Sequence, residues 1–176
     1  MENNALKIRV VADTEEDIFI DLIASKSSNL LSIHNLLVKT LELDSNEIAS
    51  FYLSNNNWDK GDEITLFNMS LEDDDDGSIQ KSMENTSLEN LFSNGISKLL
   101  YLHDFLNMNI FYVEFLNEET LNFNESLQVT HQLGKYAPKK FDDDSNFEEI
   151  DPVKDILDEY DEDNFGDFEE LDEDLY

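Results

Sequence analysis

Cysteine is absent from the 176 residues, which removes disulfides, thiolate metal sites and cysteine nucleophiles. Arginine occurs once, at Arg9, and the remaining bases are ten lysines set against 42 acidic residues, for a formal charge of −31 at pH 7. So few cations cannot neutralise a run of phosphates, so no direct nucleic-acid binding is expected, and an anionic membrane surface would repel the chain. With five glycines and two prolines, phosphate-cradling turns are scarce. Neither Gly-x-Gly-x-x-Gly nor a Gly-Lys-Ser/Thr loop nor Gly-x-Ser-x-Gly occurs. Long apolar runs are missing too: Leu-Leu-Tyr-Leu at 99–102 and Ile-Phe-Tyr-Val at 110–113 are strand-sized, far below the roughly 20 residues of a membrane span. The first eleven residues alternate Lys with apolar residues instead of forming a continuous apolar stretch, so no signal peptide is expected and the expected location is cytoplasmic.

What is present suits a packed domain with an appendage. Apolar residues make up 40% of the chain and aromatic residues 11%, enough to build a core. The charge is uneven: residues 141–176 hold 18 acids and one Lys, a net −17, whereas residues 1–140 hold a net −14. A segment so charged cannot bury enough apolar area to offset an ordering entropy of about 1–2 kcal/mol per residue. The expected organisation is therefore one domain over 1–140 and a largely disordered acidic tail over 141–176. A second charge run, Glu-Asp-Asp-Asp-Asp-Gly at 72–77, reads as an exposed loop.

Within 1–140, Leu6, Ile8 and Val10 alternate with Lys7 and Arg9, and Ile18, Ile20 and Leu22 repeat that period, which predicts a β-hairpin. Leu30, Ile33, Leu36, Leu37 and Leu41 fall on one helical face behind Asn29 or Ser28 as N-cap, which predicts a helix over 30–42. Strands are predicted at Phe51 and Leu53 and at 64–67. A Thr86-Ser-Leu-Glu89 capping box opens a helix of one or two turns that buries Leu88, Leu91 and Phe92. The runs 99–102 and 110–116 read as a central hairpin, and Leu127, Val129 and His131 as a last strand before Gly134 and Pro138. This order predicts an α+β domain, β-grasp-like (ubiquitin-like), with one main helix across a mixed sheet.

The segments also resemble, in order over roughly 5–138, the plasmid pRiA4b ORF-3-like family, sometimes labelled an insertion-element passenger of TnpR type. The likeness is carried by Asn-Leu-Leu-Ser-Ile-His-Asn-Leu-Leu at 29–37, Ser-Phe-Tyr-Leu at 50–53 followed by Trp58 and Glu-Ile-Thr-Leu at 63–66. Met-Glu-Asn-Thr-Ser-Leu at 83–88 and Leu-Leu-Tyr-Leu-His-Asp-Phe at 99–105 continue it. The family's Tyr-Asp-Phe-Gly-Asp-x-Trp-x-His stretch is matched by Asp104 and Phe105. It is departed from at Leu106, Asn107, Asn109 and Phe111, as in a divergent subgroup whose polar site has been replaced. The resemblance implies a β-grasp-like fold and assigns no reaction. The TnpR label implies no resolvase chemistry, because a recombinase needs a basic DNA-facing surface.

Few residues suggest a chemical site. His34, His103 and His131 lie on three different predicted elements without metal-ligand spacing, and His103 with Asp104 is the one weak candidate site. Calcium loops need oxygen ligands at positions 1, 3, 5 and 12 around a glycine at 6. The run Glu72, Asp74, Asp76 ends on Met83 at position 12, and Asp161, Asp163, Asp172 has Phe165 at position 5, so no metal and no cofactor is expected. Trp58, the single Trp, reads as a packing residue at a sheet edge or as a contact residue.

The tail carries the better motif. Asp151 and Pro152 form a helix start, and Val153, Ile156, Leu157 and Tyr160 follow at helical spacing, continued by Phe165, Phe168 and Leu171. These residues are candidate partner-docking anchors. The expected function is a non-enzymatic interaction module whose partner is a basic protein surface, with no oligomeric state implied. The competing readings are an enzyme or small-ligand domain on the sheet face near His103 and Asp104, and an acidic nucleic-acid mimic. A pocket lined by His103 and Asp104 with a strongly shifted pKa would favour the enzyme or ligand domain; a flat sheet with exposed Phe or Tyr would favour the interaction module.

Overall fold

Alternating burial along the chain divides one broad sheet into a covered face and an open one. A computed structural model describes residues 4–67, 81–120 and 125–139, all within one unit, Met1–Phe141. Its strands are β1 (Ala5–Ala12), β2 (Phe19–Ser25), β3 (Ala49–Ser54), β4 (Lys60–Thr65), β5 (Lys98–His103), β6 (Asn109–Glu119) and β7 (Leu127–Leu133). The helices are α1 (Leu30–Thr40) and α2 (Leu88–Ser93). The sheet order is β4-β3-β5-β6-β1-β2-β7, with every strand pair antiparallel.

This order overturns the β-grasp expectation. The two helices are short, 11 and 6 residues, and β1 sits between β2 and β6 with both pairings antiparallel, so the sheet is antiparallel and dominates the fold. The helical stripe at 30–42 is real but forms only one part of a thin layer over seven strands. The hairpin β1–β2 forms as the alternation predicts, and the strand pair β5–β6 as the two apolar runs predict.

Helix α1 begins where Asn29 caps it, its side chain accepting from the Ser32 N–H at 3.0 Å, and it buries Leu30, Ile33, His34 and Leu37. Each such aliphatic residue contributes about 1.5–3 kcal/mol by leaving water. The N-cap of α2 is Ser87, accepting from Asn90 N–H at 3.2 Å, whereas the Thr86 hydroxyl donates to the Ser82 carbonyl at 2.8 Å. The capping-box expectation is thus displaced by one residue. The two helix starts are tied together, Leu30 N–H donating to Thr86 C=O and Leu88 N–H to Ser28 C=O.

Both helices pack on the face formed by Ile8, Val10, Ile20, Phe51, Leu99, Tyr101, Phe111 and Val113. After β7, Gly134 turns the chain with φ +75°, and the segment to Lys139 folds back along β6. There Tyr136 packs its ring 4.9 Å from Phe111 and donates its hydroxyl to the buried Asn109 side chain at 2.5 Å, while the Lys139 N–H donates to the same oxygen at 2.9 Å. At the β7 edge, Asp21 pairs with His131 and Leu22 with Val129, so Thr130 is the extra residue of a β-bulge. The charge run at 72–77, both calcium-like runs in their acidic parts, and the whole of 141–176 lie outside the described residues.

Candidate functional site

His103 and Asp104 are brought together at the end of β5, in an arrangement that organises a turn. His103 is buried, and its Nε2 lies 2.9 Å from the Asp44 carbonyl. A carbonyl only accepts, so Nε2 donates, and the buried Nδ1 has no hydrogen-bond partner among the described residues. Asp104 adopts φ +58°, a left-handed conformation that Asp tolerates better than most residues. Its N–H donates to Ile48 C=O at 2.9 Å, and its C=O accepts from Met108 N–H at 2.7 Å. Its carboxylate accepts the N–H groups of Leu106 at 3.1 Å and Asn107 at 3.2 Å, together with the Asn107 side-chain amide. Burial pushes this carboxyl up, but the donors of Asn107 and Leu106 outweigh it and hold it below the usual range. Asp104 is therefore committed to the turn and His103 to the interior, an arrangement unlike a substrate-facing acid–base pair.

The turn so held presents apolar side chains to solvent. Leu106 is 71% exposed and Ile48, beside it through the Asp104 hydrogen bond, 61%; Phe105 and Met108 are also exposed. These are four of the seven large apolar side chains exposed among the described residues. Met108 shares the left-handed backbone, with φ +54°. Register places the N-terminal end of β3 on one side of the turn, through Ala49 opposite His103, and the C-terminal end of β1 on the other, through Ala12 opposite Phe111.

The open face of the sheet runs up to this turn. Cross-strand pairs align Phe19, Val11, Tyr112, Leu100 and Tyr52 in one row across five strands. The next row alternates in charge: Asp21, Arg9, Glu114 and Lys98. Arg9 grips Asp21 through two hydrogen bonds of 2.7 and 2.8 Å and lies 4.6 Å over Phe19, and this pairing holds the Asp21 carboxyl below its usual range. Lys98 stands 3.7 Å from Glu114 and 4.6 Å over the ring of Trp58, which meets Tyr112 edge-on at 5.0 Å. Trp58 is thus folded over the open face from the β3–β4 turn. Lys60 lies 4.0 Å over Tyr52, whose hydroxyl donates to Glu63 at 2.9 Å; burial, then that carboxylate, pushes the phenol up to about 12. The pair Leu102 and Ile110 joins this face to the turn.

The other histidines lie elsewhere. His34, on α1, places Nδ1 2.7 Å from the Tyr101 hydroxyl inside the core, and His131, on β7, packs 5.6 Å from Phe19. Among the described residues no group of three His, Asp or Glu side chains is placed to hold a metal, and no helix is long and apolar enough to cross a membrane. The docking candidates Val153, Ile156, Leu157, Tyr160, Phe165, Phe168 and Leu171 lie outside the described residues. The exposed set Ile48, Phe105, Leu106 and Met108 was not singled out by spacing; the available signal was a hairpin tip, Phe-Leu-Asn-Met-Asn, with large apolar residues where turns usually carry polar ones.

No family model and no curated protein matches the chain. Among solved structures, it is similar in fold to a protein of unknown function, MM3350, from Methanosarcina mazei Go1. The TM-score is 0.60 at 16% identity, over 89% of this chain and 83% of that one. At that identity the likeness concerns the fold alone.

Proposed function

We propose that this chain is a non-enzymatic cytoplasmic interaction module, a divergent relative of the pRiA4b ORF-3-like family, that binds a basic protein surface. The reading rests on the open sheet face. A row of half-buried residues, Phe19, Val11, Tyr112 and Leu100, runs up to the buried Tyr52 and is covered among the described residues by side chains alone, Trp58 and Lys60, with no packed helix; contiguous apolar surface of this kind marks interaction sites. The commitment of Asp104 to the turn and the burial of His103 leave the ligand-domain reading without an acid–base pair that faces solvent. The net charge of −31 favours a cationic partner and raises its association rate. Residues 141–176, with net charge −17, supply a second acidic docking segment in this reading.

Affinity capture at physiological salt with four baits tests it: the full chain, Leu100→Asp, Tyr112→Asp and a chain ending at 140. The same basic protein should be retained by the full chain, lost by both face variants and weakened by the truncation. Capture indifferent to the face substitutions, or no retained protein, would remove the proposal.

A further inference from the structure

The geometry points to the β5–β6 turn as an anchor for a cationic amphipathic helix; this deepens the interaction reading and rests on it. Phe105, Leu106, Met108 and Ile48 project from one end of the sheet and are exposed although large and apolar. Two left-handed non-glycine residues, Asp104 and Met108, bracket the turn. Such backbone is unfavourable for a residue other than glycine and persists where the surroundings enforce it, here through the Asp104 carboxylate and the Ile48 carbonyl. The backbone of the apolar tip is therefore held in one shape, so little backbone ordering remains to be done on binding.

The charges beside the tip select the occupant. On the β3 side, Asp44 and Glu47 are exposed next to Ile48; on the β1 side, the exposed Asp13 donates its N–H to Ile110 C=O at 2.9 Å. No Lys or Arg occurs between Lys39 and Lys60 or between Lys98 and Lys135. From the returning C-terminal segment, Lys135 faces Glu42 at 3.9 Å, and the exposed Lys139, whose N–H donates to Asn109 at 2.9 Å, is among the described residues the one cation placed beside the tip, against the three carboxylates of Asp13, Asp44 and Glu47. An apolar ridge with carboxylates on both flanks complements a helix whose Leu or Ile stripe, at i, i+3, i+4 and i+7, is bordered on both sides by Lys or Arg. A second copy of this chain would bring the same carboxylates against themselves. Met108 adds a side chain able to adapt to the stripe.

The test is titration of the full chain with a synthetic 18-residue helical peptide of Leu and Lys, followed by amide chemical shifts and calorimetry. Shifts should concentrate at 44–48 and 104–108, and Phe105→Ser with Leu106→Ser should raise Kd at least tenfold without lowering the melting temperature. Asp104→Ala, which frees the turn but keeps every apolar side chain, should also weaken binding, and Asp104→Asn, which keeps an acceptor and tolerates the left-handed backbone, should restore it. The same peptide with Glu replacing Lys should not bind. Shifts on the open face alone with unchanged affinity of the tip variants would overturn the anchor while leaving the interaction reading intact. Peptide binding spread over 141–176, concentration-dependent self-association through the tip, or no binding at millimolar peptide would each overturn it as well.

Discussion

His34 Nδ1 and the Tyr101 hydroxyl meet at 2.7 Å across the layer between α1 and the sheet, both buried. Burial, and secondarily the charge of His103, holds the His34 imidazole down to about 4, below its ordinary 6.5. The unfolded chain therefore binds the extra proton first as pH falls. The contribution of His34 is complete above about 6.5 and is lost as pH falls through 4, a loss of about 3 kcal/mol at most at 1.36 kcal/mol per pH unit. Urea unfolding between pH 7 and pH 4 should show this fall. His34→Gln, which keeps an acceptor for Tyr101 and does not titrate, should flatten that part of the profile; an unchanged slope would remove His34 as its source.

Where the folded domain ends can be decided by two truncations. Ending the chain at 140 removes 17 net negative charges, so melting should hold or rise through reduced self-repulsion. Ending it at 133 also removes Tyr136, exposing Phe111 and leaving Asn109 without its two donors, and melting should drop sharply. Equal melting of the two shortened chains would contradict this boundary.

Tyr136→Phe isolates the hydrogen bond from the packing. It keeps the ring on Phe111 and removes one donor to Asn109, while Lys139 N–H remains. Denaturant unfolding should show a loss of about 1–2 kcal/mol with unchanged m.

Gly134→Ala should destabilise by about 1–3 kcal/mol. The glycine has φ +75°, and an added Cβ would lie 3.0 Å from Ile18 Cγ1 and 3.2 Å from the Asp17 carbonyl oxygen. Thermal unfolding beside Gly95→Ala, whose φ is +77° with nothing within 4 Å, separates steric crowding from backbone strain, and Gly134 should be the costlier site.

Trp58 is the only Trp and sits over the open face, so its fluorescence reports occupancy there. Binding on the open face should shift its emission to shorter wavelength, and Tyr112→Ala should alter the unbound spectrum. A partner that binds without moving the emission does not use this part of the face.

Local signals carried the fold a long way and then stopped at non-local pairing. The alternation at 6–10 and 18–22 and the Asn29-capped stripe of α1 were readable because period and cap lie within a few residues of each other. That β6 lies beside β1 depends on residues about a hundred positions apart, and no window of sequence contains that choice. Thr86 and Ser87 are both plausible caps; the competing acceptor at Ser82, set by the tertiary chain path, took the threonine. His103 and Asp104 are adjacent polar residues in the sequence, but their roles follow from the Asp44 and Ile48 carbonyls, which reach them only in the folded sheet.

The bulge at Thr130 has a bearing on what another chain could add at this edge of the sheet. Strand β7 ends the sheet with no Lys, Arg, Asp, Glu or Pro among its seven residues, so its outer rim lacks the charged residues found on β4 at the opposite edge. The extra residue, its hydroxyl donating to Asp21 C=O at 3.2 Å, breaks that rim into stretches of three residues on either side. A neighbouring chain adding a strand among the described residues meets no straight template longer than that, so the bulge disfavours growth from molecule to molecule into a fibre by shape where charge is missing.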